Sequence, residues 1–326
     1  MIDTLGRTID YIRISITDRC NLRCVYCMPE EGMPPIAHEE ILTFEEIVRI
    51  CKLLAKHGFK KIKLTGGEPL VRKDVDVLIK KLKNIEGITN VTLTTNGVML
   101  SEYYNKLVDA GIDGITISLD TINEKRYKEI TRRDSLGKVL EGIKLAQEKG
   151  KVPLKINCVI LKDEKEEDII SLLKFAENNE TDVRFIEMMP IGYGNNFEFV
   201  SDNYIRTLIE NKYGQLIPYY EKRGNGPSEY YEVSGLKGKI GFISSISHKF
   251  CDSCNRIRLT ADGNIKTCLQ YNCNVNLKKV LKQEITDDEL WLLLEEVIKN
   301  KPAGHHFSDK TLEKTDEKRA MSQIGG

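Results

Sequence analysis

Apolar and polar positions alternate in two rhythms along the first two-thirds of the chain. Short segments repeat every second residue, as half-buried strands do. They fall at 11–16, 61–65, 91–95, 115–119, 153–160 and 183–187. Segments with helical spacing lie between them. The first places Phe44, Ile47, Val48, Cys51, Leu54 and Ala55 on one face. Others cover 74–84, 102–110, 137–149, 166–178 and 202–212. Six β–α repeats predict parallel strands joined by helical crossovers. Six units rather than eight predict an α/β fold with an open, TIM-like partial (βα)6 barrel. A doubly wound sheet is the rival topology.

The two faces of these strands differ. One carries Ile12 and Ile14, Ile62 and Leu64, Val91 and Leu93, Ile115 and Ile117, Ile156 and Cys158. The other carries Arg13 and Ser15, Lys63 and Thr65, Thr92 and Thr94, Thr116 and Ser118, Lys155 and Asn157, then Arg184. Closed barrels of this kind fill their interior with bulky apolar layers. A polar inner face predicts a lumen for water or a polar ligand. Unpaired buried cations are costly, so the ligand that suits Arg13, Lys63, Lys155 and Arg184 is an anion. The competing reading places these residues at a solvated barrel mouth.

After about residue 215 the rhythm changes. Residues 221–228 read as a loop, and 230–233 with 239–243 as a hairpin. A helix is predicted near 287–299, and the polar, Lys-rich stretch from Lys301 reads as a mobile tail. This divides the chain into a barrel unit, 1–220, and a smaller C-terminal α+β unit, 221–326. Lysine plus arginine equals aspartate plus glutamate at 49 each, which gives no global basic field for nucleic acid. No stretch approaches the apolar length of a membrane span, and the N-terminus has no signal pattern. A cytoplasmic protein is expected. Nine cysteines, several in close clusters, point to metal rather than disulfides.

The strongest chemical signal is Cys20-Asn21-Leu22-Arg23-Cys24-Val25-Tyr26-Cys27. Cubane iron–sulfur clusters are commonly held by four thiolates, so three leave one iron open to another ligand. Structural zinc favours four closed ligands in two pairs, which this triplet fits poorly. A second group is Cys251, Cys254 and Cys268, with Cys273 nearby. There a four-cysteine zinc ribbon remains an equal reading on spacing alone. Between those cysteines, Asn255-Arg256-Ile257-Arg258-Leu259 sets two arginines on one strand face. Arginine forks suit phosphate oxygens, although a solvated edge strand reads the same way. Cys51 and Cys158 lie on apolar faces and are expected in the core.

The first triplet, with Tyr26 before its last cysteine, resembles the radical SAM superfamily. Thr65-Gly66-Gly67-Glu68-Pro69, Thr94-Thr95-Asn96-Gly97 and Ser118-Leu119-Asp120 follow at strand ends in the order of that family. Together with the second triplet, Asn255–Leu259 and the terminal Ile324-Gly325-Gly326, the chain resembles the GTP 3′,8-cyclase family of molybdenum cofactor biosynthesis nearly end to end. The resemblance implies two [4Fe–4S] clusters and S-adenosylmethionine (SAM) as cofactors. Cys20, Cys24 and Cys27 would hold the SAM cluster, and Cys251, Cys254 and Cys268 the auxiliary cluster, with Cys273 a bystander. Tyr26, Gly67, Ser118 and Met189 match SAM-contacting positions. Arg13, Lys63, Thr94, Lys155, Arg256 and Arg258 match GTP-contacting positions, with Arg184 a secondary candidate. Lys63 stands where arginine is common, which keeps charge but loses the bidentate fork.

The resemblance also implies that the Gly325-Gly326 end reaches the active site. Glu68 would orient the SAM amino group or cap the following helix. Asp120 and Asn96 would serve ribose hydroxyls. His305 and His306 are expected on the surface. The implied reaction removes H3′ of GTP and joins C3′ to C8 of guanine, giving 3′,8-cyclo-7,8-dihydro-GTP. An electron donor, delivery of product to cyclic pyranopterin monophosphate synthase and a homodimer are implied with it. The alternatives are a radical SAM peptide-modifying maturase and a non-catalytic iron–sulfur or zinc-binding protein.

Overall fold

The computed structural model describes residues 1–162, 165–272, 275–307 and 316–325. The period-two segments form β1 (Tyr11–Ser15), β2 (Lys61–Thr65), β3 (Asn90–Thr95), β4 (Gly114–Ser118), β5 (Leu154–Ile160) and β6 (Asp182–Glu187). The crossovers contain α1 (Phe44–Lys56), α2 (Val75–Lys83), α3 (Leu100–Asp109), α4 (Glu124–Thr131), α5 (Leu136–Lys149) and α6 (Glu166–Glu177). α7 (Asp202–Tyr213) follows β6. Each predicted element agrees within two residues, and α4 is an addition. Local chemistry fixes the starts of several helices. Thr43 and Glu46 form a reciprocal capping box at α1, which satisfies backbone N–H groups that have no helical partner.

Neighbouring strands from β1 to β6 pair in parallel and in chain order. A doubly wound sheet reverses its strand order at a switch point, and this order does not. The predicted apolar face is buried under the helices: Ile12, Ile14, Ile62, Leu64, Val91 and Leu93 are at most 1 % exposed. Cys51 and Cys158 belong to the same core.

The later strands are β7 (Ile217–Tyr219), β8 (Glu229–Glu232), β9 (Ile240–Ile243), β10 (Arg256–Leu259) and β11 (Ile265–Lys266). β8 and β9 form the predicted antiparallel pair. β9 then pairs in parallel with β6, and β10 with β1. The C-terminal segment therefore continues the half-barrel sheet at both of its ends, giving the order β11-β10-β1-β2-β3-β4-β5-β6-β9-β8-β7. α8 (Leu277–Leu281) and α9 (Asp287–Lys299) complete this part, the second with its own Thr286–Glu289 capping box. Among the described residues no helix is long and apolar enough to cross a membrane.

The described parts of the tail, 301–307 and 316–325, depart from their compositional reading. Lys301 is 4 % exposed, and its Nζ donates to the carbonyls of Arg256 and Thr267. Asp316 and Glu317 are buried, and a short helix, α10 (Met321–Ile324), lies against the core with Ile324 at 1 % exposure. Buried partners distant in sequence satisfy these polar groups: Lys266 pairs with Glu317, and Gln270 bonds Asp316. Composition cannot register such pairing.

Candidate active site

One cavity of about 680 Å³ opens on the polar face of the sheet. All six cysteines of the two triplets line it. So do Tyr26, Gly67, Ser118 and Met189, together with Arg13, Lys63, Thr94, Lys155, Arg184, Arg256 and Arg258. Cys273 and Gly326 lie outside the described residues.

The first triplet sits in the loop after β1. The Cys27 and Met28 amides both donate to the Cys24 carbonyl, which winds the loop tightly. α4 clamps it from outside. Arg23 and Val25 amides donate to Thr131 and Ile130, and the Arg132 guanidinium donates to the carbonyls of Arg23 and Met28. The Gly66-Gly67 pair supports the loop from beneath. A Cβ on Gly67 would meet the Asp18 carbonyl oxygen at 2.6 Å, and one on Gly66 the Thr17 carbonyl oxygen at 2.7 Å. The glycines admit the backbone that leads into Cys20 as well as bordering the cavity.

Carboxylates in this half of the cavity are already engaged. Glu68 accepts from the Leu70 amide (2.9 Å), the Thr95 hydroxyl (2.7 Å) and the Asn96 amide (2.6 Å). Burial nonetheless raises it to about 7. Glu68 thus caps the turn at 69–71, the second of its two expected roles. Asp120 accepts from the Tyr26 hydroxyl (2.6 Å) and the Val159 amide (2.9 Å), which fixes Tyr26 beside Cys24 and Cys27. The Asn96 side chain bonds Asn21 (2.7 Å).

Burial, with Glu68 next, raises the Cys20 thiol to about 11. Burial and then neighbouring Cys20 raise Cys27 to about 12, and burial with Cys27 drives Cys24 upward. Grouped buried thiolates are costly, and iron removes that cost by holding the thiolates directly. Among the described residues no group of three or more His, Cys, Asp or Glu side chains is set to hold a metal ion directly. A four-iron cluster demands less convergence, because each thiolate meets its own iron. The donor set fits such a cluster.

Cys254 of the second triplet has the opposite electrostatics. Burial opposes ionisation of Cys254, but Arg256 and Lys301 outweigh it and lower the thiol. Gly304 packs here, with a hypothetical Cβ 3.4 Å from the Cys251 Sγ.

Between the triplets runs a row of cations. Sheet register aligns Lys266 with Arg258, Arg258 with Arg13, and Arg13 with Lys63 across β11, β10, β1 and β2. Like charges directly opposite on adjacent strands destabilise a sheet. Lys266 is neutralised by Glu317. Burial, then Arg13 and Arg256, push Arg258 well below its ordinary value. Burial, then Arg184 and Arg13, push Lys63 well down too. Arg184 and Lys63 both donate to the Thr116 hydroxyl at 3.2 Å.

Lys155 already has an acidic partner. Asp182, the first residue of β6, binds it at 2.6 Å, and Arg223 binds the same carboxylate. The Lys155 ammonium also donates to the Arg223 carbonyl and the Tyr230 hydroxyl. The loop 222–227 borders the cavity at this end.

At the other end, the Gly325 carbonyl accepts from the Arg258 guanidinium. Gly325 has φ +79°, and a Cβ there would meet the Thr65 hydroxyl at 2.8 Å and the Ser15 Cβ at 2.9 Å. His305 and His306 are not surface residues. The His306 ring contacts the Tyr271 hydroxyl (3.0 Å) and Asp316 (3.3 Å). His305 borders the cavity, and burial with Lys249 nearby lowers it to about 4.

Comparison with known proteins agrees with this architecture. A model of the radical SAM superfamily matches residues 14–176, and one described as Molybdenum Cofactor Synthesis C matches 181–307. A GTP 3′,8-cyclase of Clostridium perfringens (strain SM101 / Type A) is 44 % identical over 326 residues, covering 100 % of both chains. That of Pelotomaculum thermopropionicum is 43 % identical over 329 residues, again covering 100 % of both. Among solved structures, Streptococcus suis SuiB bound to S-adenosylmethionine aligns with a TM-score of 0.59 at 17 % identity. That alignment covers 80 % of this chain and 60 % of SuiB, and the likeness is one of fold. The chain belongs to the GTP 3′,8-cyclase family of the radical SAM superfamily.

Proposed function

We propose that this protein cyclises GTP to 3′,8-cyclo-7,8-dihydro-GTP, an early step of molybdenum cofactor biosynthesis. The observation that carries the reading is the in-register row Arg258–Arg13–Lys63 lying between two cysteine triplets on one cavity. An anion against such a row offsets the repulsion between its cations, and a triphosphate supplies that charge.

A [4Fe–4S] cluster with SAM, when bound at Cys20, Cys24 and Cys27, supplies the radical that takes a hydrogen from the substrate ribose. The chain's residues position and shield. Tyr26, Gly67, Ser118 and Met189 border the SAM end of the cavity, and Asp120 holds the Tyr26 ring in place. Arg13, Lys63, Thr94, Arg256 and Arg258 bind the nucleotide, with Arg184 beside them. Lys155 contributes through its Asp182–Arg223 network, so its charge reaches substrate partly neutralised. Cys251, Cys254 and Cys268 hold the auxiliary cluster, with Arg256 and Lys301 favouring thiolate at Cys254. Gly325 closes the Arg258 side. Holding the reacting atoms in line and excluding water are the protein's contributions to such a reaction.

Residues 1–220 then act as the radical-forming unit, and 221–326 carry the auxiliary cluster and complete the GTP site. An external electron donor, transfer of product to cyclic pyranopterin monophosphate synthase, a homodimer and a cytoplasmic setting belong to the same reading and rest on the family resemblance. The peptide-maturase and non-catalytic alternatives are not favoured, since relatives matching the whole chain carry the cyclase name. Anaerobic incubation with SAM, dithionite and GTP is expected to give 5′-deoxyadenosine and the cyclised nucleotide together. 5′-Deoxyadenosine without any GTP-derived product would exclude GTP as the substrate.

A further inference from the structure

Two side chains on the wall near the second triplet have buried polar atoms without partners. Both ring nitrogens of His305 and the hydroxyl of Ser245 are shut away from solvent, and none makes a hydrogen bond. The Ser245 carbonyl lies close enough to the imidazole to favour its protonation, yet outside hydrogen-bond geometry. Both residues border the cavity, and Ser245 is 1 % exposed. Such orphans are few in native proteins, and each is costly unless something fills the role.

The backbone around His305 is held firmly. Gly304 packs on Cys251, and its carbonyl accepts from the Tyr271 hydroxyl at 3.0 Å. The His305 carbonyl accepts from the Lys249 ammonium at 3.4 Å. The ring stacks on Phe307 at a centroid distance of 4.4 Å. A ring so placed, with idle nitrogens, is prepared for a ligand entering the cavity.

The ligand's chemistry follows from what the ring offers. A neutral imidazole presents one donor and one acceptor, and a serine hydroxyl adds a donor and two acceptors. That set matches the mixed donor and acceptor edge of a heterocyclic base. Phosphate, which only accepts, is better served by the Arg258–Arg13–Lys63 row.

We propose that His305, with Ser245, hydrogen-bonds the purine base beside the second cysteine triplet and sets the preference for guanine. This rests on the GTP reading above and adds a base-selecting pair to it. Selection by hydrogen bonds is effective because the wrong base leaves buried polar groups unpaired.

The test measures equilibrium binding of GTP and ATP to anaerobically reconstituted holoenzyme without reductant. The unaltered protein should prefer GTP. His305→Ala should weaken GTP about tenfold, the loss of one net hydrogen bond, while leaving ATP and iron content unchanged. His305→Gln keeps a donor and an acceptor and should recover part of the preference. A variant pair with unaltered GTP affinity overturns the proposal. So does an equal fall for both nucleotides, which marks a packing role. If the unaltered protein itself does not favour GTP, the substrate reading falls first and this one with it.

Discussion

At the scale of single residues, the cation row is the feature with the clearest consequences. Arg256 and Arg258 share one strand face, but their surroundings differ. Arg258 is buried and holds the Gly325 carbonyl, whereas Arg256 stacks over Phe250 at 5.0 Å. Arg256→Ala is therefore the cleaner probe. It should lose about 1–3 kcal/mol of GTP affinity while iron content stays the same. Arg258→Ala should lose at least as much and also loosen the C-terminal end. Calorimetric GTP titration checks both, and unchanged affinity in each would remove the phosphate role. The alternation of Arg13, Lys63 and Arg184 with apolar neighbours made these cations legible in the sequence. Asp182 was not legible. It sits one position before the apolar stretch that marked the strand, so the partner of Lys155 lay outside the predicted element.

At the scale of elements, the strands and most helices could be read because each buries one face. α4 could not. Its run Glu124–Thr131 buries only Tyr127, Ile130 and Thr131, too sparse a stripe to stand out. Yet α4 holds the first cysteine loop. The tail was misread for a related reason: its charges pair with residues distant in sequence. Burial alone would raise Glu317, but hydrogen bonds from Arg319 and Lys266 outweigh it and bring it to about 2. A depressed carboxylate stabilises the folded state fully above its ordinary value near 4.5 and loses that contribution as pH falls toward 2. Corrected amide exchange in 316–325 should therefore rise as pH falls through that window. At neutral pH, Glu317→Gln leaves Lys266 buried with a weaker partner and should cost about 3–5 kcal/mol of local stability. Amide protection unchanged in that variant would separate tail docking from the ion pair.

At the scale of the whole molecule, spacing alone left the second triplet between zinc and iron. The fold places it on the same cavity as the first, with Arg256 and Lys301 beside Cys254. Reconstituted protein should contain about eight iron and eight sulfide per chain, two four-iron clusters. Four iron with one zinc would return the second triplet to a structural role. What no periodicity could reveal is how the C-terminal strands join the sheet at both ends, since pairing between distant segments leaves no local trace.

That joining has a temporal side. β1 is among the first strands to leave the ribosome, and its partner β10 is among the last. Contacts so far apart in sequence close slowly, because a long loop must be ordered first. Through most of synthesis β1 keeps one bare edge, the kind that invites pairing with other chains. The seam between Arg13 and Arg258 is thus the last parallel strand pairing, among the described residues, that synthesis can complete.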